Sequence, residues 1–152
     1  MNNKKPIALH SIIVNNIDDS KFKKLIKYYF EKSGASNVVM LGKNESDLNV
    51  DADIIATFKS IKTIIYIQAQ KHKSGTGSSQ WALNKINDYV THKEETTDDG
   101  YSKIAWVVST ANVFSEICEE KAKLSNVQLI NGLQFSQMLL EVGIGDLDSA
   151  FY

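Results

Sequence analysis

The sequence predicts an α/β fold, a mixed central β-sheet flanked by helices on both faces, and two observations carry that expectation. The stretch Val50–Lys73 holds two apolar, β-branched runs, Ala52–Phe58 and Lys62–Gln70, joined by a short polar link that fits a hairpin. Beyond it, short apolar runs alternate with segments of helical periodicity, and parallel strands of that kind need helical crossovers. A chain of 152 residues with 43% hydrophobic content suits one domain over 1–152 that buries a real core.

Taken in order, Met1–Pro6 is polar, and the apolar run Ile7–Val14, broken by His10 and Ser11, reads as an edge strand or a packing arm. Asp18, Asp19 and Ser20 offer helix caps. Phe22, Leu25, Ile26, Tyr29 and Phe30 then recur at the spacing of one helical face, and Gly34 stands where a C′ glycine ends a helix. Asn37–Leu41 reads as a short strand and Gly42–Asn49 as a surface loop leading to the hairpin. After the hairpin, Lys71–Gln80 is rich in Lys, Ser and Gly and reads as a mobile loop.

Ala82, Ile86, Tyr89 and Val90 predict a second helix with Trp81 as a packing residue at its entry, and His92–Ser102 a solvated connection. Ile104–Val108 is an apolar run short enough for a buried strand. Phe114, Ile117, Cys118 and Ala122 mark the apolar face of a third helix, capped near Asn112 or Ser115. Val127–Ile130 is a last strand. Phe135, Met138, Leu139 and Val142 mark a fourth helix that starts at Asn131 and closes at Gly143. The weakly periodic tail Asp146–Tyr152, with two terminal aromatics, reads as a boundary to something larger.

Composition removes several function classes. Seventeen basic against eighteen acidic residues leave the net charge near zero, so any basic surface for a nucleic acid must be local. The single cysteine, Cys118, excludes an internal disulfide and suits a reducing interior. No apolar run approaches a membrane span, and the start MNNKKP lacks the apolar core of a secretory signal, so the expected address is cytoplasmic, with no membrane partner. No phosphate-cradling glycine loop, zinc spacing, Ser/His/Asp order or helix-turn-helix is visible. His10 and His92 lack partners at metal-ligand spacing.

The chemistry concentrates at one end of the hairpin. Side chains alternate along a strand, so Gln68 and Gln70 share a face about 7 Å apart. Ile64 and Tyr66 precede them on that face, which argues for partial burial. Asp53 stands near the start of the partner run, where pairing brings it close to Gln68. By itself Asp53 reads as a strand-start cap; beside two amides on one strand face it reads as part of a site.

These pieces, in this order, resemble the Mrr-like branch of the PD-(D/E)xK restriction endonuclease superfamily over most of Phe22–Gly145. The matching residues are Phe22 ahead of an amphipathic helix, Asp53 before Ile54 and Ile55, and Gln68-Ala69-Gln70-Lys71 ending an apolar strand. Val107-Val108-Ser109-Thr110 then precedes a helix, and Leu129-Ile130-Asn131-Gly132 precedes a Leu-rich helix ending in Gly143-Ile144-Gly145. The resemblance implies a restriction-endonuclease-like core and metal-dependent hydrolysis of double-stranded DNA in a restriction or phage-defence system. Asp53 and Gln68 would be metal ligands for Mg2+, with Mn2+ as a substitute, and Gln70 a further catalytic position. Lys71, His72 and Lys73 would contact DNA phosphates. Cutting both strands implies a homodimer, and the lack of a DNA-reading module implies recognition or activation elsewhere in the protein or in a partner subunit.

The sequence departs from the family pattern at two places. Gln70 stands where a lysine is expected, and an amide supplies neither positive charge nor a titratable base. Lys23 stands on the first helix where the family often has a glutamate. Three readings stay open at this point: the lysine role has migrated, for example to Lys73; metal chemistry alone suffices; or the domain binds DNA or serves assembly without cutting.

Overall fold

The structure, a computed structural model, describes residues 9–15, 17–41, 52–71 and 79–146. Eleven elements follow in chain order: α1 (Leu9–Asn15), α2 (Asp19–Lys32), β1 (Asn37–Met40), β2 (Ile54–Phe58), a 3-10 turn (Lys59–Ile61), β3 (Thr63–Gln70), α3 (Ser79–Thr96), β4 (Ser102–Ser109), α4 (Glu116–Ser125), β5 (Val127–Ile130) and α5 (Gly132–Glu141). The sheet runs β1-β2-β3-β4-β5. β1, β2 and β3 form an antiparallel meander, whereas β3, β4 and β5 are parallel and joined through α3 and α4. Two successive crossovers stepping the same way along a sheet place both helices on one face, as a constant crossover hand requires.

That rule divides the core. Ile54, Ala56, Ile65, Ile67, Ala69, Val108 and Ile130 cluster with α1, α2 and α5 on one face. Tyr66, Ala105, Val107 and Val127 cluster with α3 and α4 on the other, with Ile64 and Ile55 packed against them. Both faces are covered, so the expected α/β class holds.

α2 forms where the periodicity places it. Asp18 caps it through a 2.7 Å hydrogen bond from the Lys21 N–H, and Phe22, Leu25, Ile26 and Phe30 bury its apolar stripe. Gly34 follows at φ +96°, a conformation in which a β-carbon is strained. The hairpin closes through the 3-10 turn and Lys62, whose positive φ of 47° makes it a turn residue rather than the first residue of a strand.

α5 begins with a reciprocal cap: the Asn131 side chain accepts from the Gln134 N–H at 2.8 Å, and the Gln134 side chain accepts from the Asn131 N–H at 2.9 Å. Asn131→Ala is expected to cost about 0.5–2 kcal/mol in a urea unfolding curve. An unchanged midpoint would show that packing of Phe135 and Leu139 holds the helix start without its cap.

Several expectations are corrected. The run expected as an edge strand or arm is helical from Leu9 to Asn15, packed against α5 with Ile13 buried. His92 is helical, since α3 continues to Thr96 before the connection begins. Trp81 is 56% exposed, with the Lys85 ammonium 4.3 Å from its ring centroid, so it is not a core residue. Ile117 is exposed, and Cys118 and Ala122 alone bury the face of α4, which Ser115 caps. The loops Gly42–Asn49 and most of Lys71–Gln80 lie outside the described residues, as does most of the tail.

Candidate active site

The hairpin register pairs Ile54 with Ile67, so Asp53 lies opposite Gln68 one step beyond. The Asp53 N–H still donates to the Ile67 carbonyl at 2.8 Å. Past that bond β2 ends, and the Asp53 carboxylate takes the ladder position itself: its Oδ2 accepts from the Ala69 N–H at 2.8 Å. One local choice therefore ends the strand and fixes a carboxylate at the hairpin mouth. The Asp53 carboxylate thus meets the backbone of the Gln68–Gln70 strand end.

Gln68 and Gln70 follow Tyr66 on the α3 face of β3. Gln70 is only 9% exposed. The Gln68 Oε1 atom is buried and accepts no hydrogen bond among the described residues. An amide oxygen left without a donor loses its hydration for nothing, at about 1–3 kcal/mol, unless a donor or a cation meets it. Burial pushes the neighbouring Tyr66 phenol up to about 12, with Tyr89 and Asp99 adding to the effect, so it stays neutral at physiological pH.

At the adjacent carboxyl end of β4, Ser109 and Thr110 are buried polar residues, and the Thr110 N–H donates to the Gln70 carbonyl at 3.0 Å. Carboxyl ends of parallel strands are where open α/β sheets receive ligands.

Sequence reasoning singled out Lys23 only as a departure from the family pattern and missed its pairing with Asp53. Lys23 projects from the first turns of α2 and places its Nζ 3.4 Å from Asp53 Oδ1 and 3.1 Å from Asp19 Oδ2. The Lys23 and Asp53 side chains are 14% and 17% exposed, so the pair is largely shielded yet open to solvent at one side. Burial by itself pulls the Lys23 ammonium's pKa down, but Asp53 and Asp19 together outweigh it and hold it above the usual lysine value. Its spacing from Asp19 is legible as a helical i, i+4 pair. Its meeting with Asp53 has no sequence signal.

Among the described residues no group of three or more His, Cys, Asp or Glu is placed to hold a metal ion. A divalent ion here must accept mixed oxygen donors. Mg2+ does so, because it binds through one or two carboxylates and keeps several waters. One carboxylate and one orphaned amide oxygen fit that demand. Of the residues expected at DNA, Lys71 is exposed at the end of β3, while His72 and Lys73 lie outside the described residues. A separate cavity of about 360 Å³, lined in part by Phe114, Lys123, Leu129 and Gln134, shares no residue with this cluster.

No curated protein matches the chain. The crystal structure of protein VC1899 from Vibrio cholerae is similar over 80% of this chain and 31% of its own length, at 11% identity and a TM-score of 0.43. The chain thus spans about a third of the solved protein it matches. The family model Mrr_cat, described as a restriction endonuclease, matches residues 14–139, which takes in α2, the whole sheet and the Asp53–Gln68 mouth. With that match over most of its length, the chain belongs to the Mrr-type restriction endonuclease family.

Proposed function

We propose that this chain is a divalent-metal-dependent endonuclease domain that hydrolyses double-stranded DNA in a prokaryotic restriction or phage-defence system. The observation that carries the reading is the buried, unpartnered Gln68 Oε1 across the strand pair from Asp53, in a chain of a restriction endonuclease family. Asp53 and Gln68 would hold Mg2+, or Mn2+ in its place. Such an ion, when bound, supplies positive charge to the scissile phosphate and makes water a better nucleophile.

The chain's own residues do the rest. The Ala69 N–H fixes one Asp53 oxygen, and the other stands 3.4 Å from the Lys23 ammonium. The Gln70 amide can donate a hydrogen bond to water or to a phosphate oxygen. Lys71, His72 and Lys73 follow at the strand end and meet the DNA backbone, which positions the duplex without reading its sequence. Because one site cuts one strand, a homodimer forms on DNA, and sequence recognition or activation resides in another segment or subunit. Among the described residues no helix is long and apolar enough to cross a membrane.

Supercoiled plasmid incubated with the protein and Mg2+ or Mn2+ is expected to be nicked and then linearised. A folded protein that cuts nothing with any divalent ion would sink the reading. In the same assay Gln70→Ala is expected to lower cleavage by about tenfold or less, the worth of one hydrogen bond. A loss as complete as that of an Asp53 variant, with metal still bound, would make the amide an essential group.

A second reading rests on Gln70 standing in place of a lysine and on the Lys23–Asp53 ion pair: a nuclease-like domain that binds DNA or serves assembly without cutting. It requires DNA affinity to be unchanged in Asp53 and Gln68 variants. Removing the charges of Lys71 and Lys73 would then weaken binding and flatten its salt dependence.

A further inference from the structure

The position that should bring a positive charge to the hairpin mouth holds Gln70, yet a positive charge is there. Lys23 reaches Asp53 from α2, across the strand ends rather than along them, and two carboxylates hold its ammonium in place. A lysine that only balanced Asp19 could lie along the exposed surface of the helix, as i, i+4 pairs do. This one is instead turned inward to Asp53, with its Nζ 3.4 Å from Asp53 Oδ1. Lys71 is exposed, where water and salt weaken a charge. Lys23 is shielded, where a charge acts more strongly on a neighbouring group.

We propose that Lys23 supplies, from helix α2, the catalytic positive charge that Gln70 cannot, and that it contacts the scissile phosphate beside Asp53. The inference rests on the nuclease reading above. In the step it assists, the oxygen of a water bonds to phosphorus and one ester P–O bond breaks with its electron pair leaving on the departing oxygen. One water proton passes to solvent, and the departing oxygen takes a proton from solvent. Lys23 stays protonated throughout. It offsets the negative charge that accumulates on the phosphate oxygens and gives or receives no proton.

The test compares wild type, Lys23→Gln, Lys23→Arg and the double variant Lys23→Gln/Gln70→Lys. Each is measured for plasmid cleavage, kcat and KM on a short duplex, Mn2+ affinity by calorimetry, and fold by circular dichroism. Lys23→Gln keeps a polar partner for Asp53 and is expected to lose about 100-fold or more in kcat, with KM and Mn2+ affinity little changed. Lys23→Arg should retain most activity, and Gln70→Lys should restore much of what Lys23→Gln loses, because it returns an ammonium to the strand end beside Asp53.

Wild-type cleavage that Lys23→Gln leaves intact would overturn the proposal. So would tighter Mn2+ binding with faster cleavage in Lys23→Gln, which would make Lys23 a competitor of the metal. A loss that neither Lys23→Arg nor Gln70→Lys relieves, or loss of fold in both single variants, would reduce Lys23 to a structural ion-pair partner. If wild type itself cuts nothing, the nuclease reading fails first and this inference falls with it.

Discussion

Asp53→Asn is expected to reduce DNA cleavage by on the order of 1,000-fold or more, since a carboxylate that holds a metal supports several kcal/mol of transition-state stabilisation. Asn is the informative replacement. Its side-chain oxygen can still accept from the Ala69 N–H, which Asp53 now does at 2.8 Å, so the start of β2 keeps its geometry. What is removed is the negative charge, and with it the counterion of Lys23 and, on the proposed reading, the attraction for a divalent ion.

On the proposed reading DNA affinity should hold or rise, because an anion is removed near the phosphates. Calorimetry should show weaker Mn2+ binding in parallel with the lost cleavage. A variant that still cuts near the wild-type rate would mean that Asp53 is only a cap at the strand start. One that loses cleavage but binds Mn2+ as before would mean that the metal sits elsewhere.

Phe22→Ala is expected to be the most damaging single change to stability. Phe22 is fully buried, its ring stands perpendicular to Phe135 of α5 with centroids 5.7 Å apart, and it anchors α2 on the sheet beside Lys23. Truncating a buried Phe costs about 3–5 kcal/mol through lost transfer energy and the cavity left behind. That is a large share of the roughly 5–15 kcal/mol that holds a typical domain together. At this chain length each kcal/mol moves the thermal midpoint by about 2–4 °C, so a fall on the order of 10 °C is expected by calorimetry. A fall of only a degree or two would show that α2 is held chiefly by Leu25, Ile26 and Phe30. Because Lys23 is the next residue, a loosened α2 should also lower cleavage below the melting range.

Much of the fold was legible because local rules and tertiary packing agree in those segments. The α2 stripe, a cap among Asp18, Asp19 and Ser20, and Gly34 were readable from spacing alone, as were the hairpin and the alternation of strand and helix after it. The Asn131 helix start was readable for the same reason, since Asn131 and Gln134 satisfy each other's backbone groups without help from distant residues.

Reading failed where the deciding partner was remote. The run Ile7–Val14 carries too few polar residues to show a period, and from Leu9 onward it is a helix packed against α5. Trp81 sits at the entry of a helix whose buried stripe runs through Ala82, Leu83, Ile86 and Val90, so its ring is left outside under Lys85.

The candidate site divides along the same line. Sequence by itself determined that a carboxylate begins one strand and that two amides end the next, because period-two alternation and hairpin pairing are local consequences of residue order. Through the family resemblance it also set Gln70 where a lysine is expected. Only the tertiary structure decided that the Gln68 oxygen is buried with no donor among the described residues, and that Lys23 meets Asp53. Those facts depend on how α2 and α3 seat against the sheet. A side chain's distance to a group on another element follows from the packing of whole faces, and no spacing along the chain encodes it.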